Sequence, residues 1–124
     1  MGKSTVSTEI EASPENVFDF VISEKMNDLT KEFYEGKWSS EGPVGVGSNA
    51  HYVGVHKHNK GEEWNAKLTE FVKNKNLTMH LTGANKRSYD QTNFYTFEPK
   101  VKGTKMTITM DYKMPCSVLN KLIE

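Results

Sequence analysis

Histidines are the side chains of this sequence with the most obvious capacity for metal binding or acid–base chemistry. They are His51, His56, His58 and His80. His56 and His58 stand two residues apart on a predicted strand, so their imidazoles would lie on one side and could share a metal ion. No cysteine or acidic motif completes such a site, so the sequence predicts no metal site and no cofactor. His56 could instead act as a general base with Glu62 or Glu63 across a predicted hairpin, an interpretation that rests on proximity alone.

Two candidate nucleophiles, Cys116 and Ser117, stand near the start of a predicted helix. The helix dipole would lower the pKa of a thiol at this position. The sequence identifies no base beside them, so we interpret Cys116 as a small buried residue. As the only cysteine it can form no internal disulfide, which fits a reducing compartment, and we expect a cytoplasmic protein.

Two amides, Gln91 and Asn93, share with Tyr95 and Phe97 what would be the buried face of one strand. A buried amide without a hydrogen-bond partner costs about 1–3 kcal/mol. A bound ligand or a trapped water could supply the partner. The alternative is that this end of the strand extends beyond the core and is hydrated.

Soft and aromatic side chains are frequent on the predicted inward faces, among them Trp64, Met79, Met106, Met110 and Tyr112. Methionine adapts to irregular shapes, which suits a pocket that accepts apolar molecules. The alternative interpretation is ordinary core filling, because these residue types are commonly buried.

The elements that would position these side chains follow from the hydrophobic pattern. Residues 6–10 alternate apolar and polar side chains, which indicates a strand with one wet face. Ser13 and Pro14 then provide a favoured N-cap and first position for a short helix. Met26 and Leu29, three residues apart, predict a second helical turn beneath the sheet.

Six further strands follow, joined mainly by short turns, so neighbouring strands should be antiparallel. The alternation changes phase around Glu70 and Phe71, which predicts a bulge or a strand end. Residues 106–114 form the last alternating strand, and Pro115 ends it. Residues 116–124 then carry one apolar helical stripe that includes Leu119 and Leu122. The order predicts an α+β fold in which a curved antiparallel sheet wraps a terminal helix.

Composition limits the classes of partner. The chain has 124 residues, which predicts a single domain spanning residues 1–124. Lys and Arg together number 16, as do Asp and Glu, so the basic excess typical of nucleic-acid or membrane-surface binding is missing. No apolar run is long enough for a membrane span or a signal peptide. The neutral balance leaves a homodimer possible.

Four segments in the same order resemble START-like domains, most closely the polyketide cyclase/dehydrase branch of the SRPBCC superfamily. They are residues 6–22, 41–47, 64–71 and 95–99. The resemblance implies a helix-grip fold, in which a seven-stranded antiparallel sheet curls round a C-terminal helix and encloses a hydrophobic cavity. Two short helices would follow the first strand. Residues 116–124 allow only about two helical turns, whereas family members have a longer helix, so we expect that the terminal helix is truncated.

The resemblance also implies the range of functions. Members bind lipids, sterols, polyketides and other apolar molecules, and some are cyclases, hydrolases or co-chaperones. They share no catalytic motif, so no catalytic residue is carried over to this chain. The resemblance therefore leaves the ligand and any reaction open.

Three hypotheses follow. The first is a non-enzymatic binder of a small hydrophobic molecule that resembles a lipid, a polyketide or a sterol, with Gln91, Asn93 and Tyr112 orienting the ligand. The second is a cyclase/dehydrase or hydrolase that acts on an apolar carbonyl compound in the same cavity. The third is a dimerisation or interaction module. The predicted ligand-binding residues are Met26, Trp64, Leu68, Met79, Leu81, Gln91, Asn93, Tyr95, Phe97, Met106, Ile108, Met110, Tyr112, Leu119 and Leu122.

Overall fold

A curled antiparallel sheet is the main element of the computed structural model, which describes residues 2–57, 60–84 and 90–113. Within these residues the sheet has seven strands, in the order β1-β7-β6-β5-β4-β3-β2. The strands are β1 Gly2–Ile10, β2 Tyr34–Trp38, β3 Asn49–Gly54, β4 Glu63–Val72, β5 Asn76–Gly83, β6 Asp90–Lys100 and β7 Gly103–Lys113. Two short α-helices, α1 Pro14–Ile22 and α2 Asn27–Thr30, lie between β1 and β2, separated by a 3-10 turn at Glu24–Met26. The predicted α+β class and the curved seven-stranded antiparallel sheet are confirmed.

Consecutive strands from β2 to β7 pair as antiparallel neighbours, and β1 closes the order by pairing with β7. Short connections explain this meander, because they return the chain directly beside the strand that it has left. The pairing of β4 with β5 shifts register between Leu68 and Glu70, which confirms the predicted bulge. Asn74 adopts a positive φ of 64° in the turn after β4, a conformation that asparagine tolerates better than most residues.

Helix α1 begins as its sequence predicts. The Ser13 hydroxyl accepts a hydrogen bond from the backbone N–H of Asn16 at 3.2 Å, and Pro14 occupies the first helical position. The buried Phe18 packs edge-to-face against Phe71 and Phe97, with ring centroids 5.2 Å apart in both pairs. These contacts fix α1 across one end of the sheet and fill that end with side chains.

The segment after α1 attaches the edge strand β2 to the helices. The Asn27 side chain donates to the carbonyl oxygen of Gly36 at 2.7 Å and accepts from its N–H at 2.9 Å. The Trp38 indole donates to the carbonyl oxygen of Ile22 at 2.8 Å. The predicted second helical turn is present, but the Leu29 side chain is 68% exposed, so its predicted position beneath the sheet is wrong. The hydrogen bonds of Asn27 and Trp38 hold the segment between α1 and β2 in place.

The buried hydrophobic core lies between α1 and the middle of the sheet. It consists of Val17, Phe18, Ala50, Ala66, Leu68, Leu77, Met79 and Phe97. The buried Thr104 hydroxyl donates to the carbonyl oxygen of Ala12 at 2.7 Å and ties β7 to the start of the helical segment. No helix in the described part of the chain is long and apolar enough to cross a membrane. The predicted terminal helix, with Cys116, Ser117, Leu119 and Leu122, lies outside the described residues, as does His58.

Candidate functional site

The residues of the candidate site lie on the concave face of the sheet, where the register of the strands places them side by side. On β7, Ile108 and Met110 stand opposite Tyr95 and Asn93 of β6. Asn93 in turn stands opposite Met79 of β5. Because side chains alternate between the faces of a strand, these residues share one face and form adjacent rows across the sheet.

A concavity of about 340 Å³ opens along these rows. Its lining combines aliphatic, thioether and aromatic side chains with two amides. The lining residues are Val6, Met26, Tyr34, Tyr52, Trp64, Met79, Leu81, Gln91, Asn93, Tyr95, Ile108 and Met110. None of these lining residues carries a formal charge. The space is at the small end of the range for ligand pockets and resembles them in being mostly apolar with a few polar groups.

Two further hollows differ from this concavity. One, of about 60 Å³, lies under the helical segment and shares Tyr52, Met79 and Tyr95 with the main concavity, so the two spaces adjoin. The other, of about 480 Å³, lies beside the β6–β7 turn and is lined largely by exposed residues such as Glu9 and Lys102. That groove offers little apolar enclosure, so the concavity is the better candidate for a binding site.

Most of the predicted ligand-binding residues that the structure describes line the concavity. These are Met26, Trp64, Met79, Leu81, Gln91, Asn93, Tyr95, Ile108 and Met110. Leu68 lines only the smaller hollow, and its side chain is 1% exposed. Phe97 belongs to the buried core and Met106 packs against it, so the filling interpretation holds for those two. Tyr112 lies outside the lining, and its hydroxyl is 3.7 Å from the sulfur of Met110.

Val6, Tyr34 and Tyr52 also line the concavity, and the sequence interpretation did not include them. Tyr52 enters the site because β3 pairs with β4 so that Tyr52 stands opposite Trp64. On the other side it stands opposite Gly36 of β2. Tyr52 stands two residues from both Ala50 and Gly54, which are buried on the same face of β3, and this period of two could have assigned Tyr52 to the inner face.

The side-chain amides of Gln91 and Asn93 satisfy part of each other's hydrogen-bonding capacity. Gln91, only 8% exposed, donates from its Nε2 to Oδ1 of Asn93 at 2.7 Å. Asn93 also hydrogen-bonds the Tyr95 hydroxyl, an interaction that lowers the pKa of Tyr95, although burial raises this pKa more strongly above its ordinary value. The alternative that this end of the strand is hydrated is therefore wrong for Gln91. Gln91, Asn93 and Tyr95 form a connected polar strip inside an apolar surface.

Three tyrosines, Tyr34, Tyr52 and Tyr95, line the concavity. Burial raises the pKa of Tyr52 to about 12, with a smaller contribution from the charge of Tyr34. Burial likewise raises the pKa of Tyr34. The phenols therefore remain protonated at neutral pH, where they can act as hydrogen-bond donors.

The described histidines lie outside the concavity. His51, between Ala50 and Tyr52, faces the convex side, where its Nε2 is 2.8 Å from Oε1 of Glu63 and its Nδ1 is 3.0 Å from Oδ1 of Asn65. The imidazole of His56 stacks on the ring of Phe33 at 5.8 Å. Across residues 2–57, 60–84 and 90–113, no group of three His, Cys, Asp or Glu side chains could hold a metal ion.

On the convex side, Nε2 of His80 lies 2.9 Å from Oδ1 of Asp90. His80 alternates along β5 with Met79 and Leu81, which line the concavity. Its side chain therefore lies on the opposite face of the sheet from the candidate site.

Solved structures share this fold at low sequence identity. The major latex-like protein 151 of Panax ginseng aligns with a TM-score of 0.73 and 14% identity over 98% of this chain and 90% of that protein. A protein from Thermus thermophilus aligns with a TM-score of 0.73 and 19% identity over 98% and 84%. Ara h 8.0201 aligns with a TM-score of 0.70 and 13% identity over 98% and 87%. No family model and no curated protein sequence matches the chain.

These alignments extend over nearly the whole chain at identities where only the fold is comparable. Together with the seven-stranded order and the two short helices after β1, they show that the chain has a START-like fold. The fold by itself does not assign a function.

Proposed function

We propose that this protein binds a small apolar molecule in the concavity of its sheet. The observation that carries the proposal is a concavity of about 340 Å³ whose inner wall is apolar and carries a polar strip. Met79 and Met110 on that wall would adapt to the shape of the ligand. The START-like fold supports the same function, because the resemblance implies a hydrophobic cavity at this place.

Burial of apolar surface would supply the main part of the affinity. A ligand that buries about 200 Å² of apolar surface gains roughly 5 kcal/mol at 25 cal/mol per Å². The loss of translational and rotational freedom on binding offsets much of this gain, so apolar burial alone would give only weak affinity. Polar groups at fixed positions, such as Asn93 and Tyr95, would raise the affinity and select among ligands of similar shape.

The enzymatic hypothesis has weaker support. A general base works best when its pKa lies near the working pH. Among the described lining residues the ionisable groups are tyrosines, and burial raises the pKa of Tyr52 to about 12, away from neutrality. Binding without chemistry is therefore the function that these residues support best.

A pair of tryptophan substitutions on β7 tests the proposal. Met110→Trp would place an indole in the concavity, whereas Thr109→Trp would place it on the opposite face, where Thr109 contacts Thr5. Binding of the neutral dye N-phenyl-1-naphthylamine is followed by its fluorescence, and urea unfolding checks that both variants fold. We expect the wild type and Thr109→Trp to bind the dye and Met110→Trp to lose at least about tenfold in affinity.

Native mass spectrometry of protein purified from its own cells provides an independent measurement, with a retained small molecule as the expected result. Dye binding that survives equally in both tryptophan variants would overturn the proposal. A folded wild-type protein that binds no dye and retains no molecule would overturn it as well.

A further inference from the structure

The hydroxyl of Tyr52 has an unusually poor hydrogen-bond partner. It donates to the sulfur of Met79 at 3.5 Å, and a thioether is only a weak acceptor. Both side chains line the concavity. An oxygen atom of a bound molecule would be a better acceptor than this sulfur, so the hydroxyl stands to gain from exchanging one partner for the other.

The ring of Tyr52 is held so that its hydroxyl stays at the concavity. Gly36 lies directly opposite on β2, and a Cβ at that position would lie 2.9 Å from Cζ of Tyr52. Tyr34 packs edge-to-face against Tyr52, with centroids 5.6 Å apart. Because Asn27 binds both backbone groups of Gly36, the surface beneath the ring is itself fixed. The hydroxyl hydrogen can therefore turn to another partner by rotation about the Cζ–Oη bond, without movement of the ring.

The neighbouring amide also presents a donor. Oδ1 of Asn93 is occupied by Nε2 of Gln91, so the remaining polar capacity of Asn93 lies in its NH₂ group. One N–H of this group meets the Tyr95 hydroxyl, so the second N–H of Asn93 and the phenol of Tyr52 are two hydrogen-bond donors on the lining. The described lining is uncharged, and burial of an unpaired ionic group costs far more than burial of a neutral one.

We infer that Tyr52 determines specificity by donating a hydrogen bond to a neutral carbonyl oxygen on an apolar ligand, and that Met79 holds the same hydroxyl when no ligand is bound. The inference rests on the proposed function and adds the chemical class of the ligand. It selects neutral apolar ketones and related carbonyl compounds over hydrocarbons of the same shape and over carboxylates.

Tetralin and 1-tetralone are suitable probes, because they have the same ring system and differ in one carbonyl group. Both dissociation constants are measured by NMR titration of wild type, Tyr52→Phe and Met79→Leu. The compared quantity is the ratio of the tetralin constant to the tetralone constant, since water solvates the ketone better than the hydrocarbon. Taking each variant relative to wild type removes that difference in hydration.

We expect Tyr52→Phe to lower this ratio roughly three- to tenfold, the effect of one net hydrogen bond, while the tetralin constant stays nearly unchanged. Met79→Leu keeps a similar volume but removes the resting acceptor, so we expect it to raise the ratio. A residue with a purely structural role would change both dissociation constants together.

The outcomes separate this inference from the proposed function. If tetralin binds in the concavity but the ratio is the same in wild type and Tyr52→Phe, the inference is overturned and the proposed function stands. If neither probe binds folded wild-type protein, both are overturned. A ratio that falls in Tyr52→Phe and rises in Met79→Leu supports the exchange of partners.

Discussion

Two leucines on one strand provide a direct measure of how empty the concavity is. Leu77 and Leu81 lie four residues apart on the same face of β5, but Leu77 is 2% exposed in the core whereas Leu81 lines the concavity. Leu77→Ala should cost about 2–5 kcal/mol, because it removes buried methyl groups and leaves a new cavity. Leu81→Ala should cost about 1–1.5 kcal/mol, roughly half the transfer free energy of a leucine, because the adjoining space already exists.

Urea unfolding followed by circular dichroism measures both costs against wild type. A difference of about 2 kcal/mol between the variants corresponds to roughly 1 M in the urea midpoint at a slope of about 2 kcal/mol per M. In thermal unfolding the same difference is roughly 6–12 °C for a domain of this length. Equal losses for Leu77→Ala and Leu81→Ala would refute the reasoning, since they would mean that the wall of the concavity is packed as tightly as the core.

Three further predictions concern the framework of the site. Phe18→Ala should lower the free energy of unfolding by about 3–5 kcal/mol in urea unfolding, because Phe18 is fully buried; a loss under about 1 kcal/mol would contradict the docking of α1. Gly36→Ala should lower the free energy of unfolding by about 1–3 kcal/mol, because the new methyl group meets the ring of Tyr52. Unchanged chemical shifts of the Tyr52 ring in NMR spectra would contradict this contact. The hydrogen bonds that His51 donates to Oδ1 of Asn65 and Oε1 of Glu63 raise the pKa of His51. The stabilisation by protonated His51 is therefore fully present below the unfolded-state pKa of about 6.5 and is lost as the pH rises through the folded-state value. Glu63→Gln should accordingly be more destabilising at pH 5.5 than at pH 9, and a pH-independent effect in urea unfolding would count against this.

The alternation of side chains was sufficient to predict the strands and most of the residues that line the concavity. The predicted strand at residues 106–114 corresponds to β7, Gly103–Lys113, in the described residues. Once that strand and β6 are assigned inner faces, Ile108, Met110, Asn93 and Tyr95 must share a wall. The pattern did not reveal where that wall changes from packed core to open concavity, because Phe97 and Tyr95 follow the same period on the same face.

Contacts between residues distant in sequence decide what the pattern could not. The coverage of Phe97 by Phe18 depends on the position of α1 across the sheet. Tyr52 is positioned by Gly36, sixteen residues earlier, which leaves room for its ring. The exposure of Leu29 has the same origin, since α2 is held by Asn27 and not by an apolar stripe. Local periodicity does not predict such contacts between distant residues.

The protonation state of the lining tyrosines favours the proposed binding function over general-base chemistry. A phenol with a pKa of about 12, such as that of Tyr52, is almost entirely protonated at neutral pH, so it is a poor general base and a stable donor. Burial produces this shift, and the same burial strengthens a hydrogen bond to a ligand by excluding competing water. The geometry that makes Tyr52 unsuitable for abstracting a proton therefore makes it suitable for recognising a carbonyl oxygen.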